Sequence, residues 1–167
     1  ATTLDLMRDA MSGVEFLRAS KLFGKVGVLG HSEGGSIAFM LGAKGKVDFV
    51  ISMAGIGVKG DTALTAQTNK ILELTGQSMR FSTHQYRMNA IIKRSPWLNF
   101  IIDYDPSADI SKTLCPVMAI NGSRDIQVIS SLNLAGIKAH LKPNPKNIIK
   151  EYPSLNHLFQ HCKTGNV

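Results

Sequence analysis

GKVGVLGHSEGGSIAF, running from Gly24 to Phe39, decides how the rest of the chain is read. A short apolar run of β character, KVGVLG, ends in Gly30-His31-Ser32-Glu33-Gly34. The small-residue segment that follows, GSIAFMLGAKG, has the character of a helix stopped by glycine. Strand, sharp turn and helix in direct succession are the setting that presents a serine hydroxyl at the top of a sheet. The reason is steric: the backbone passes close on either side of such a serine, so Gly30 and Gly34 are expected to supply the room, with Gly35 and Ser36 keeping the helix start slim. A helix N-terminus beneath Ser32 offers free N–H groups and positive partial charge where an oxyanion would form. The Glu33 backbone N–H is the first expected oxyanion donor.

The same alternation extends outward. Residues 3–18 carry Leu4, Met7, Met11, Val14 and Leu17 at helical spacing with charges between them. VDFVISMAG (47–55) and CPVMAING (115–122) have the character of buried strands, and IKEYP (149–153) of a third; residues 128–141 between the last two are expected to be helical. Apolar strands alternating with helices predict an α/β fold, with a mostly parallel sheet and helices on both faces. Residues 59–104 break the rhythm. They are far longer than a simple crossover needs and hold two helix-like patterns, 63–75 and 83–94, the second capped by Ser82 or Thr83. This divides the chain into a core, 1–58 with 105–167, and a helical cap or lid, 59–104. Ile91 and Ile92 lie in the cap, and its large residues Trp97 and Phe100 are candidates for an acyl or aryl pocket.

A serine hydroxyl is inert without a base, and the base needs an orienting acid. In a parallel sheet both belong just past the C-terminal ends of later strands. Asp125, in NGSRDIQV, and His157, in YPSLNHLFQ, occupy two such loops, and the chain order is serine, acid, histidine. Ser32, Asp125 and His157 are therefore the candidate catalytic residues. Asp61 follows the strand ending near Gly55 and is the substitute for Asp125. Asp103, Asp105 and Asp109 precede a strand and so sit at its wrong end. His31 is expected to point away from the Ser32 side chain and to shape the substrate pocket. His84 belongs to the cap, and His140 to the end of a helix. His157 and His161 have the spacing of a helical metal pair but lack an intervening glutamate and a third ligand, so no metal and no cofactor are expected.

Composition excludes other classes. Hydrophobic residues make up 44% and charged residues 19%, the balance of a globular domain. No apolar run approaches the roughly 18 residues that span a bilayer. The net charge of +7 is spread along the chain rather than gathered into blocks, which argues against nucleic acid as a partner. Two cysteines, Cys115 and Cys162, are too few for a disulfide scaffold, and Cys115 is expected to be a small core residue. No signal peptide is legible after Ala1, and the compartment stays open between the cytoplasm and an exported location.

GHSEGG, NGSRDIQV and YPSLNHLFQ together resemble the elbow, acid-loop and histidine-loop motifs of the α/β-hydrolase superfamily. The branch they resemble is the bacterial serine esterases and acyl hydrolases akin to dienelactone hydrolases and prolyl oligopeptidases. The resemblance implies Ser32 as nucleophile, Asp125 as acid and His157 as base, and a small-molecule acyl or ester substrate. It also implies strands before the first helix and a helix after the histidine, whereas here the chain opens in that helix and stops ten residues after His157. The expectation is the C-terminal part of the fold, with an open apolar edge at KVGVLG that invites pairing with a second copy. The predicted activity is hydrolysis of carboxylic esters through an acyl-enzyme. Amide, peptide or thioester cleavage on the same triad, or a non-catalytic binding module, are the alternatives.

Overall fold

The computed structural model describes residues 1–88 and 95–165. Thr2 and Asp5 close a capping box at the head of α1 (Thr3–Ser20), the Thr2 N–H donating to Asp5 Oδ2 at 2.7 Å. Lys21 ends the helix in the left-handed conformation at φ 56°. The expected apolar stripe faces inward at Met7 and Val14, while Leu17 is 38% exposed. α1 packs on α2 (Glu33–Ala43), which is apolar nearly all round and has Ala38, Phe39 and Leu41 fully buried. A helix with that pattern belongs in the middle of a core.

β1 (Val28–His31), β2 (Val50–Met53), β3 (Val117–Gly122) and β4 (Ile148–Tyr152) form one sheet, wholly parallel, in the order of the chain. With strand order following chain order, right-handed crossovers place every connecting helix on one face. α2, α6 (Ser107–Lys112) and α7 (Ser130–His140) occupy it, over the row in which Val50 and Val117 are each 1% exposed. The next row, Leu29, Ile51, Met118 and Ile148 in register, points to the other face, where Leu29 is 61% and Ile148 48% exposed. Helices were expected on both faces; among the described residues α2, α6 and α7 cover the face that carries Val50 and Val117. β1 is an edge strand, as the sequence led one to expect, and β4 is the other edge.

Between β2 and α6 the chain forms α3 (Gly60–Leu74), α4 (Thr83–Met88) and α5 (Pro96–Asp103). α3 starts three residues before the expected 63. Ser82 caps α4, accepting from the Gln85 N–H at 3.2 Å while Gln85 Oε1 accepts from the Ser82 N–H. The rest of the helix expected over 83–94, with Ile91 and Ile92, lies outside the described residues. α5 and α6 have no counterpart in the sequence reading. Ser95 caps α5 with Pro96 at its first position, where the missing N–H costs nothing. Gly60 lets α3 approach α5: a Cβ there would fall 1.7 Å from the Ile101 carbonyl oxygen.

Arg87 ties the three helices together, its Nε 2.6 Å from Asp61 Oδ2 and its Nη2 2.6 Å from Asp103 Oδ1. Burial works to raise the Asp61 carboxyl, but hydrogen bonds from Arg87 and Thr62 and the guanidinium charge hold it below its ordinary value. Cys115 is half-buried against the core, as expected, and burial pushes its thiol up.

Candidate active site

Ser32 joins β1 to α2 with φ 57° and ψ −119°, a backbone conformation that a residue with a side chain adopts only at a cost of about 1–3 kcal/mol. The turn is held from both sides: the Ser32 N–H donates to the Met53 carbonyl at 2.8 Å, and its carbonyl accepts from Gly35 N–H at 2.9 Å. Gly30 is indispensable to this path, since a Cβ there would sit 1.8 Å from the Gly34 carbonyl oxygen. Gly34 itself differs from expectation, because a Cβ at that position meets open space. The second close approach falls on Gly35, whose missing Cβ would lie 2.7 Å from Gly55 Cα. Glu33 opens α2 directly after Ser32, so its N–H has no acceptor within the helix.

The other two candidate residues meet in a buried pair. His157 Nδ1 lies 2.8 Å from Asp125 Oδ2, and the two residues are 4% and 3% exposed. Asp125 Oδ1 accepts from the N–H groups of Gln127 and Val128, each at 2.8 Å. The carboxylate is thus locked by its own loop with one oxygen aimed at the imidazole. A carboxylate only accepts, so Nδ1 carries the proton and Nε2 is left as an acceptor. The His31 ring, one residue before Ser32, stands with its centroid 4.6 Å from that of His157, which sets the imidazole against the elbow.

A cavity of about 270 Å³ opens beside Ser32 beneath the cap, lined by Glu33, Leu64, Trp97, Phe100 and Val128 among others. Trp97 and Phe100, the two cap residues named as pocket candidates, are both in this lining. Larger hollows elsewhere on the surface do not touch Ser32. His31 does not line this cavity; its ring turns instead to His157 and Phe159. Asp61 is engaged by Arg87, not by a histidine, and His84, His140 and His161 are exposed. Among the described residues no three metal-ligating side chains converge.

Sequence reasoning missed the side chain of Glu33. Its Oε1 accepts from Thr3 Oγ1 at 2.6 Å and from Trp97 Nε1 at 2.9 Å, so one carboxylate joins the first helix, the elbow and the cap. No local pattern carries that signal, since the partners are 30 and 64 residues away in the chain.

Residues 11–160 match the family described as BAAT / acyl-CoA thioester hydrolase, C terminal. The chain belongs to that family. Among solved structures it is similar to Est1E from Butyrivibrio proteoclasticus, at 15% identity and a TM-score of 0.65 over 96% of this chain and 64% of that one. It is also similar to the esterase domain of a Rhodothermus marinus protein, at 15% identity and a TM-score of 0.59 over 92% and 60%. A third similar structure is MGS-MChE2, an α/β-hydrolase enzyme from the metagenome of lagoon sediments at Mar Chica, Morocco, at 18% identity and 0.59 over 93% and 61%. No curated protein matches the sequence. The fold is that of the α/β-hydrolases, and the chain spans less than two thirds of the length of these structures. The family is one of esterase and thioesterase-like hydrolases.

Proposed function

We propose that this protein is a serine hydrolase that cleaves an ester or thioester through an acyl-enzyme, with Ser32 as nucleophile, His157 as base and Asp125 as orienting acid. The observation that carries the reading is the buried Asp125–His157 pair set against a strained serine turn. In this reading Ser32 Oγ attacks the acyl carbon while its proton passes to His157 Nε2. The oxyanion that forms accepts from the Glu33 N–H at the positive end of α2. Collapse breaks the bond to the alcohol or thiol, which leaves with the proton from His157. Water then attacks the acyl-Ser32 carbonyl, giving up a proton to His157, and Ser32 departs with that proton as the carboxylic acid is released.

Asp125 keeps the proton on Nδ1 throughout and stabilises the transient imidazolium. The apolar part of the cavity, Leu64, Trp97 and Phe100, takes the acyl or aryl group, and α3 to α5 act as its cap. The family match favours a thioester over an amide as the bond cleaved. β1 has a strand partner on one side only, and its other side is where a further strand, of the same protein or of a second copy, would pair.

Labelling with a fluorophosphonate probe, on the protein and on Ser32→Ala, tests this reading. Rapid labelling that disappears in Ser32→Ala is expected, followed by turnover of p-nitrophenyl esters and of short acyl thioesters read by thiol release. A folded protein that resists the probe and turns over neither ester nor thioester would leave the non-catalytic binding module as the better account.

A further inference from the structure

We infer that His31 is a positioning residue for the proposed reaction, acting on His157 through the backbone as well as through ring contact. This rests on the hydrolase reading above and extends it to a residue outside the triad.

The topology sets the problem. β1 and β4 are opposite edges of the sheet, three strand spacings or about 14 Å apart. Ser32 follows β1, and His157 sits in the loop after β4, so that loop has to run back over the strand ends to bring an imidazole to the serine. On its near side the loop is well held: the Arg124 N–H donates to the Leu155 carbonyl at 3.0 Å, the Ser154 N–H to Ser123 Oγ at 2.9 Å, and His157 Nδ1 to Asp125. It also contains two residues with side chains at positive φ, Ser154 (62°) and Phe159 (59°). A strained loop anchored from one side leaves the reach of its tip toward Ser32 unspecified.

His31 supplies the far anchor. Its Nε2 lies 2.7 Å from the carbonyl oxygen of His157, 126 residues away in the chain. A carbonyl only accepts, so Nε2 carries the hydrogen and donates it. The His31 ring also packs at 4.6 Å against the His157 ring and edge-on, at 6.3 Å, against Phe159. Asp125 therefore fixes the tautomer and one side of the imidazole, while His31 fixes the backbone from which it hangs. Because His31 directly precedes Ser32, the anchor and the nucleophile move as one piece of chain. Base and nucleophile are thus held in mutual register by a single residue, the geometry that a proton transfer between them needs.

The test compares His31→Phe, which keeps a ring and removes the donor, with His31→Gln, whose amide nitrogen stands the same number of bonds from Cβ as Nε2. Steady-state hydrolysis of p-nitrophenyl acetate, the rate of fluorophosphonate labelling and the proton resonance of the His157 Nδ1–H are recorded for each. A displacement of the imidazole by about 1 Å lowers turnover by up to a hundredfold. The expected result for His31→Phe is a kcat loss of between about ten- and a hundredfold with KM little changed. Labelling slows in parallel, the Asp125-bonded Nδ1–H resonance persists, and His31→Gln recovers most of the rate.

The inference is overturned if His31→Phe turns over like the unsubstituted protein, or if the loss falls on KM. It is equally overturned if His31→Gln is no better than His31→Phe, or if the Nδ1–H resonance disappears, which would make the effect one of loop folding. If the unsubstituted protein does not label at Ser32, the hydrolase reading falls first and takes this one with it. If it labels and the His31 variants match it, only the positioning role falls.

Discussion

Replacing Asp125 by asparagine removes a charge and changes almost no volume, yet the loop around it dictates a large effect. Asp125 Oδ1 accepts two N–H groups, from Gln127 and Val128, both at 2.8 Å. Only the oxygen of an asparagine amide can stay there, because an NH2 would face two donors. The NH2 is then forced into the place of Oδ2 and points a donor at His157 Nδ1. To accept it, the neutral imidazole has to shift its single proton to Nε2, the atom that receives the Ser32 proton in the proposed reaction. The base is present, buried and in the wrong tautomer.

A triad with that tautomer is slowed on the order of 10⁴-fold in kcat, which is about 5.5 kcal/mol of barrier at 1.36 kcal/mol per decade. The lost charged hydrogen bond costs about 2 kcal/mol of stability. That lowers the Tm by roughly 4–8 °C in a chain of this size. The assay is p-nitrophenyl acetate hydrolysis with a parallel thermal melt. A folded Asp125→Asn protein that keeps more than a tenth of its turnover would refute the assignment of Asp125 and the tautomer argument with it.

Gly30→Ala puts a Cβ 1.8 Å from the Gly34 carbonyl oxygen, a backbone atom that has nowhere to move. It should lower stability by about 3 kcal/mol or more, seen as a drop in the urea midpoint, whereas Gly34→Ala should be near neutral. Asp61→Asn should leave ester turnover within about twofold while loosening the cap, by roughly 1–3 kcal/mol once the one-third exposure of Arg87 is allowed for. Folded-state Asp61 titrates below its ordinary 3.8. Its contribution is therefore complete above that pH and is lost as the pH falls through the lower folded value, so acid melts of Asp61→Asn should be flatter than those of the parent. Trp97→Ala removes a wall of the 270 Å³ cavity and the Glu33 bond, and should move the preferred p-nitrophenyl ester toward longer acyl chains; an unchanged chain-length profile would take the acyl group out of this cavity.

How much of this was legible in the sequence follows from the range of each interaction. The elbow was readable because its demands are local. Gly30 and Ser32 lie two residues apart, and a strand and a helix flank them. Asp125 and His157 were readable because a parallel sheet gathers the ends of its strands. α5 and α6 were missed since helices of eight and six residues show too few turns for a periodic stripe, and Ser95-Pro96 also has the look of a turn. Gly34 was over-read, because spacing cannot tell which of two flanking glycines meets backbone. Glu33 was read only for its backbone N–H and His31 only as a pocket residue; the bonds made by their side chains escaped. Their partners are fixed by tertiary contacts across tens to more than a hundred residues, and nothing in the residues around them announces it.

The return of the His157 loop across the sheet also has a kinetic side. α1, α2 and α7 are built from contacts a few residues apart, and each parallel strand pair closes a loop of moderate length. The bond between His31 and His157 spans 126 residues and can form only when all four strands are in place. Loop-closure entropy and contact order put such an interaction late in folding. On dilution from denaturant, helical signal and compactness should therefore return before the ability to react with a substrate, making recovered reactivity the last clock to start in this molecule.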